Sequence, residues 1–175
     1  TEVLTRKTLD GTCKLNVDIF LQAAAYLATV NAETFEDAYV CVIHPYAAYD
    51  VKTSKGFEEW NKYTTPDKMW KGEIGRIGDI RFVENSEAKI LKDETCPEDL
   101  AVYCTMVIAA HAYGVTEVEG GGLQHIVKQL GAGEDPLDQR STVGWKAIKT
   151  AERLVEQYMI RIESCGFKSG TVTAN

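Results

Sequence analysis

The sequence lacks long apolar runs and clusters of basic residues, and each shortage argues against a class of protein. No apolar stretch approaches the roughly 20 residues that span a bilayer, because charges interrupt every candidate. Lys and Arg number 19 against 26 Asp and Glu, which gives a net charge of −7. Affinity for phosphate backbones comes from clustered Lys and Arg, so we expect neither a membrane nor a specific nucleic acid as a partner.

The motifs of common catalytic sites are also missing. The chain has no GxSxG elbow, and its glycines at 72–78 and 120–122 are not followed by the Lys-Ser or Lys-Thr of a phosphate loop. The histidines, His44, His111 and His125, do not stand at zinc-ligand spacing from the cysteines. We therefore predict no catalytic residues, no cofactor and no metal.

Cysteine is present, but not in the pattern of a disulfide framework. There are five cysteines, an odd number, and no CxxC pair. They are Cys13, Cys41, Cys96, Cys104 and Cys165. We expect reduced thiols in a cytosolic product, some of them in the core. A small cytosolic enzyme with a Cys–His pair stays open as an alternative, because such partners meet in space rather than in sequence.

The hydrophobic pattern predicts a mixed α+β domain over 1–175. Apolar residues at helical spacing follow Asn16, a good N-cap, and predict an amphipathic helix over 17–30. Runs rich in β-branched residues predict strands at 38–43, 79–84, 102–112 and 123–130. The glycine spacing at 70–78 predicts a bend, and 46–70 is typical of a loop with short helices that carries Phe57, Trp60 and Tyr63.

The last segment supports two interpretations. Apolar residues from Trp145 to Ile162 fit one long helix that starts near Gly144. Tyr158, Ile160 and Ile162 also alternate with polar residues, as in a strand. Periodicity alone favours the helix.

Several short pieces of sequence occur in an order that resembles one protein family. They are Ile43-His44-Pro45, Gly72-Glu73-Ile74-Gly75, Ile77-Gly78-Asp79-Ile80-Arg81-Phe82-Val83-Glu84, Asp135-Pro136-Leu137-Asp138-Gln139-Arg140, Val143-Gly144-Trp145-Lys146 and Met159-Ile160-Arg161-Ile162-Glu163. Together they resemble the C-terminal part of the N4-like major capsid proteins of tailed phages, which have the Hong Kong 97-type fold. The resemblance covers about residues 16–164.

The resemblance implies a fold and a place within it. The chain would hold the axial domain and part of the peripheral domain of the subunit. An N-terminal arm, an extended loop and a long spine helix would lie upstream of Thr1. In such proteins the end of the chain forms strands, which favours β structure at 142–150 and 158–164 over the helix. Residues 142–164 would then contribute strands to a second sheet.

The resemblance also implies a structural function. A major capsid subunit self-assembles into the pentamers and hexamers of an icosahedral head, in the virion, after synthesis in the cytoplasm of the bacterial host. Its partners would be copies of itself, with scaffolding, portal or decoration proteins, and these 175 residues alone would be monomeric or weakly associating. An encapsulin-like nanocompartment shell protein is the alternative of similar fold.

Side-chain chemistry suggests which residues would contact a neighbouring subunit in such a shell. Trp145 is a large amphipathic anchor beside Lys146, and Arg140 can bind a carboxylate of the neighbour with two parallel hydrogen bonds. Asp135 precedes a proline and would hold a rigid loop at the boundary. The competing interpretation of Trp145 is ordinary packing in the core.

Overall fold

The computed structural model describes residues 5–54, 56, 73–116, 121–131, 137 and 139–175. Its contacts divide the chain into two compact units. The first, which we call unit 1, comprises Thr1–Ala112 and Val155–Asn175, and unit 2 comprises Tyr113–Leu154. The single domain expected from the sequence pattern therefore stays a prediction.

Two helices and ten strands form the regular structure of the described residues. The helices are α1 (Val17–Thr29) and α2 (Pro45–Thr53), with short 3-10 helices at Arg6–Thr8 and Glu156–Tyr158. The strands are β1 (Tyr39–Ile43), β2 (Glu73–Ile77), β3 (Ile80–Glu84), β4 (Ile90–Leu91), β5 (Val102–Ile108), β6 (Tyr113–Thr116), β7 (Gln124–Lys128), β8 (Thr142–Lys146), β9 (Thr150–Arg153) and β10 (Met159–Ser164). This composition confirms the mixed α+β class.

A six-stranded sheet organises unit 1. Its order is β10-β5-β1-β3-β2, and the short β4 also pairs with β5. β1 and β3 run parallel, whereas the other pairs are antiparallel. The strands predicted at 38–43 and 79–84 are confirmed as β1 and β3. The strand predicted at 102–112 is confirmed as β5 up to Ile108, where it ends. β1 has a neighbour on each side, which explains why its sequence is almost continuously apolar.

The first helix begins where its N-cap predicts. The side chain of Asn16 accepts a hydrogen bond of 3.0 Å from the backbone N–H of Ile19, and Asp18 lies in the first turn, where the helix dipole favours an anion. α1 packs on the sheet through Val17, Phe20, Ala23 and Leu27. The Phe20 ring meets the Phe82 ring of β3 edge to face at 4.8 Å, so helix and sheet share one core.

The second helix starts directly after β1, at the proline that ends the strand. Pro45 occupies the first helical turn, where its missing N–H costs nothing. His44 caps the helix, since its Nδ1 accepts a 3.2 Å hydrogen bond from the backbone N–H of Tyr46. The helix confirms the short helical structure expected after Pro45. The aromatic residues Phe57, Trp60 and Tyr63 lie outside the described residues.

The bend expected at 70–78 is wrong for most of its described part. Residues 73–77 form β2, which pairs with β3, and the turn is confined to Gly78 and Asp79. Gly78 has φ +55°, a conformation that glycine adopts without strain. Ile77 and Ile80 on either side of the turn are fully buried. Their burial shows why the segment is extended: two apolar residues flanking a tight turn complete a hairpin on the core.

The long helix expected after Gly144 is also wrong. The chain forms β8, β9 and β10 there, as the family resemblance suggested for 142–150 and 158–164. Trp145, Ile148 and Leu154 are exposed instead of forming the buried stripe of a helix. β10 joins the six-stranded sheet beside β5, where Ile160 and Ile162 pack against the core. β8 and β9 belong to two small two-stranded sheets.

Candidate subunit interface

Unit 2 contains two two-stranded antiparallel sheets. β6 pairs with β9, and β7 pairs with β8. The strand predicted at 123–130 is confirmed as β7. Each small sheet is formed by segments that lie far apart in the sequence of the unit, so neither is a tight hairpin.

The residues predicted at the interface take different places. Trp145 and Lys146 are the last two residues of β8, where Trp145 stands opposite His125 and Lys146 opposite Gln124. Arg140 is exposed and precedes β8, so it is not part of the paired strands. Asp135 lies outside the described residues. The structure thus brings Trp145 and Lys146 together on one strand and leaves Arg140 apart from them.

Alternation along β7 and β8 separates their side chains onto two faces. Successive residues of a strand point to opposite sides, and directly paired residues share a side. One face carries His125, Val127, Val143 and Trp145, and we call it the Trp145 face. The other carries Gln124, Ile126, Lys128, Thr142, Gly144 and Lys146. The Trp145 face is the more apolar, while both lysines lie opposite.

The Trp145 face is open to solvent in the single chain. Trp145 is 73% exposed, Val143 76% and Val127 61%. Trp145 is therefore not a core residue, and the competing interpretation of it is wrong. Further large apolar residues of unit 2 are exposed as well. They are Tyr113, Val115, Leu123, Ile126, Leu130, Leu137, Ile148 and Leu154.

Sequence reasoning missed Val127 and Val143 as members of this surface. The signal was present, since both stand two residues from a ring-bearing residue on the same strand, His125 or Trp145. That alternation indicates a shared face only when β7, which ends at Lys128, is paired with β8, which begins at Thr142 after a long connection. Their register is not encoded in a short turn, so it could not be inferred locally.

A set of polar contacts, which we call the Asp50 latch, holds the segment after β10 to α2. Asp50 is buried, and its carboxylate accepts a 2.9 Å hydrogen bond from the backbone N–H of Phe167. Lys14 approaches the same carboxylate at 3.9 Å. The Tyr103 hydroxyl donates to the Phe167 carbonyl at 2.7 Å. These bonds fix the Phe167 backbone against α2 and β5 and satisfy a carboxylate that would otherwise be costly to bury.

Aromatic side chains continue this latch to the surface. The Phe167 ring lies 4.5 Å from the ring of Tyr49 and 5.8 Å from that of Tyr46.

His44 is buried in the interior, where its ring stacks on that of Tyr103 with the ring centres 5.5 Å apart. Burial lowers the pKa of the His44 imidazole. His44 therefore stays neutral near pH 7, which its capping bond to Tyr46 requires.

The chemistry of the cysteines argues against the Cys–His enzyme. Burial raises the pKa of Cys41 and Cys104, and it raises that of Cys165 to about 11. A nucleophilic cysteine needs the opposite shift, toward the thiolate. His111 is exposed and lies 3.2 Å from Glu33. Within the described ranges, no group of three or more His, Cys, Asp and Glu side chains is arranged to hold a metal ion.

Comparison with known proteins identifies the fold. No protein-family model matches the chain, and no curated protein matches it in sequence. Solved structures do match, and they show that the chain has the fold of bacteriophage capsid proteins. In the part of the chain that the structure describes, no helix is both long and apolar enough to cross a membrane.

Three of these structures illustrate the likeness. A capsid chain of Ralstonia phage GP4 superposes with a TM-score of 0.67 at 15% identity, over 92% of this chain and 50% of that one. For the capsid of cyanophage Pam1 the TM-score is 0.63 at 12% identity, over 95% and 50%. For the capsid of Helicobacter pylori bacteriophage KHP30 it is 0.61 at 11% identity, over 87% and 59%. The chain thus spans about half the length of these capsid chains.

Proposed function

We propose that the chain belongs to the major capsid subunit of a tailed bacteriophage or prophage, a structural protein that builds an icosahedral head from pentamers and hexamers. The observation that carries the proposal is the fold, which matches phage capsid chains over 92% and 95% of these residues in two cases. In the N4-like, Hong Kong 97-type arrangement that the sequence resembles, the chain supplies the axial domain and part of the peripheral domain.

The exposed apolar surface of unit 2 supports the same function. Isolated two-stranded sheets are marginally stable in water and need a further surface to pack on. The Trp145 face offers a Trp and two Val side chains without a covering layer in the single chain. In a closed shell, every copy contacts its neighbours with the same geometry, so the same face is covered in each copy.

The proposed contacts divide into an apolar group and a polar group. Trp145 and Val143 form the apolar group, because large rings that become fully desolvated contribute most to binding. Lys146, on the opposite face of the same sheet, and Arg140, before β8, are exposed and suit carboxylates of neighbouring copies. The neighbours are copies of the same chain, and scaffolding, portal and decoration proteins are further partners of such a shell in the virion.

The decisive experiment is electron microscopy of the product of the whole reading frame that contains these residues. It is expressed in a bacterial host, alone and together with the adjacent genes, and purified by sedimentation. Uniform closed shells with five- and six-fold capsomers support the proposal. A product that stays monomeric under every condition overturns it. Shells that enclose a co-purifying enzyme instead of DNA indicate the nanocompartment alternative.

A further inference from the structure

Two turns with the pattern Asp-x-Thr-Cys, at residues 10–13 and 93–96, have matching geometry. In each, the Asp carboxylate accepts a hydrogen bond from the Thr backbone N–H, at 2.8 Å in the first turn and 2.9 Å in the second. The same carboxylate oxygen accepts the thiol of the following Cys, at 3.4 Å for Cys13 and 3.5 Å for Cys96. Both turns therefore fix a cysteine at a defined place.

A third cysteine lies between these turns. Cys165 directly follows β10, and its backbone N–H donates a 3.1 Å hydrogen bond to the carbonyl of Cys13. Its side chain is fully buried and packs with Cys96 and Val102 in a small apolar cluster. The fold thus brings together three cysteines that lie far apart in the sequence.

A direct backbone hydrogen bond brings Cys13 and Cys165 into the range that a disulfide can span. The single N–H···O=C bond between them, with standard backbone bond lengths, keeps their Cα atoms within about 7 Å of each other. Disulfides form between Cα atoms roughly 4.4–6.8 Å apart. Cys13 is half-buried, so a small oxidant can reach its sulfur, whereas Cys96 and Cys165 are buried. The pair therefore combines an accessible thiol with a buried one next to it.

We propose that Cys13 and Cys165 form a disulfide when the protein meets a low-molecular-weight disulfide such as oxidised glutathione. The Cys13 thiolate attacks one sulfur of the oxidant, forms a mixed disulfide and releases one thiolate. The Cys165 thiolate then attacks the Cys13 sulfur and releases the second. Two protein thiols are oxidised to one disulfide, and the oxidant is reduced to two thiols, which take up the two protons.

The environment of Cys165 slows the second step near neutral pH. Burial, with the neighbouring Cys13, Cys96 and Asp10 charges, raises the pKa of Cys165 to about 11. Only the thiolate attacks, so the rate rises about tenfold for each pH unit below that value. The bond is therefore slow to form near neutral pH and accumulates over long exposure.

The bond would tie the N-terminal segment to the end of β10. Arg6 already binds Glu163 in this region. The disulfide therefore adds a covalent bond to a contact that the reduced protein already makes. The time at which the disulfide forms rests on the proposed function. A shell assembles in a reducing cytoplasm and, once released, stays in an oxidising medium. The chemistry itself does not depend on assembly.

The test is thiol mapping of the purified 175-residue chain after incubation with oxidised glutathione at pH 7 and pH 8. Expected results are a loss of 2 Da after removal of the oxidant, a Cys13–Cys165 linked peptide, and about tenfold faster formation at pH 8. Retention of five alkylatable thiols overturns the proposal. So does a glutathione adduct on Cys13 that does not convert to the linked peptide during prolonged incubation at pH 8, which would show that Cys165 cannot reach the Cys13 sulfur.

Three variants separate this pair from its neighbours. Cys13→Ser abolishes the link, whereas Cys41→Ser, in the core of β1, leaves it intact. Cys96→Ser also leaves it intact, and a loss of the link in that variant assigns the bond to Cys96 and overturns the pairing. Circular dichroism checks that each variant is folded. Because the measurement needs no shell, its failure would leave the capsid proposal untouched.

Discussion

Arg6 and Glu163, which are 157 positions apart, form a bidentate ion pair. The Arg6 Nε and Nη2 atoms donate to the two Glu163 carboxylate oxygens, each at 2.6 Å. The remaining Nη1 atom donates to the Thr95 hydroxyl at 2.6 Å. One guanidinium therefore joins the 3-10 helix Arg6–Thr8, the turn at 93–96 and the edge strand β10.

Replacing Arg6 is expected to destabilise unit 1. Both side chains of the pair are about four-fifths buried, so solvent screens it less than a surface pair. Arg6→Ala should lower the free energy of unfolding by about 1.5–3 kcal/mol, because it removes two charge-assisted hydrogen bonds from a partly buried carboxylate. The carboxylate keeps Arg161 as a cationic partner, with the Arg161 Nε atom 3.0 Å from Glu163 Oε1. Arg6→Lys keeps the charge but not the fork and should cost less than Ala. Urea denaturation measures both, and equal stability of Arg6→Ala and the native chain would contradict the role.

The same pair predicts a pH dependence. The hydrogen bond from Arg6 holds the pKa of Glu163 below its usual range in the folded chain. A lowered folded pKa gives stability that is present above the unfolded pKa, roughly 4.3, and is lost as the pH falls through the folded value. Unfolding free energies at pH 7 down to pH 3 should thus decline more steeply for the native chain than for Glu163→Gln. The difference in pH dependence between the native chain and Glu163→Gln isolates the contribution of Glu163. Asp10 and Asp93, whose pKa values are also lowered, are present in both proteins.

Such pairings mark the limit of what the sequence could predict. The N-cap Asn16 and the β-rich run at 39–43 act through near neighbours, so α1 and β1 could be placed from pattern alone. Nothing local to Arg6 or Cys165 indicates a partner more than 150 residues away. The secondary structure after Gly144 was predicted wrongly for a related reason. The apolar spacing fits a helix, but Trp145 and Ile148 are exposed to solvent in the chain itself.

Gly166 is expected to tolerate no larger side chain. A Cβ atom placed there would lie 1.9 Å from Oδ2 of Asp50, the oxygen that accepts the Phe167 N–H. Gly166→Ala must displace the carboxylate and break that bond, which should cost about 1–3 kcal/mol. Gly122→Ala is the matched control, because its Cβ would meet nothing within 4 Å. Thermal unfolding of the two variants should differ clearly, and a native-like melting temperature for Gly166→Ala would contradict the latch.

Asn16→Ala tests the start of α1. The substitution removes the acceptor of the Ile19 N–H and should cost about 1 kcal/mol. Asn16→Asp keeps an acceptor at the same atom and should preserve most of the stability, with a further gain from the helix dipole. Chemical denaturation followed by circular dichroism measures both. A loss as large in Asp as in Ala would show that the bond to Ile19 is not the source of the effect.

Trp145→Ala should separate folding from assembly. With 73% of the residue exposed, its truncation should change the free energy of unfolding of the chain by no more than about 0.5 kcal/mol. Phe20→Ala is the contrasting control: Phe20 is fully buried against Phe82, and its loss should cost about 3–5 kcal/mol. Denaturation of the 175-residue chain compares the two.

The effect of Trp145→Ala should appear instead in the product of the whole reading frame. If the Trp145 face docks on a neighbouring copy, Trp145→Ala should lower the yield of closed shells at least tenfold in a sedimentation assay. This loss is expected when the side chain contributes about 2 kcal/mol or more to a contact that is repeated throughout the shell. Ile126→Ala, exposed on the opposite face of the same sheet, should assemble like the native protein. Normal shell yield from Trp145→Ala would place the contact elsewhere, whereas equal losses from both variants would show that unit 2 responds to any apolar truncation and that Trp145 is not its anchor.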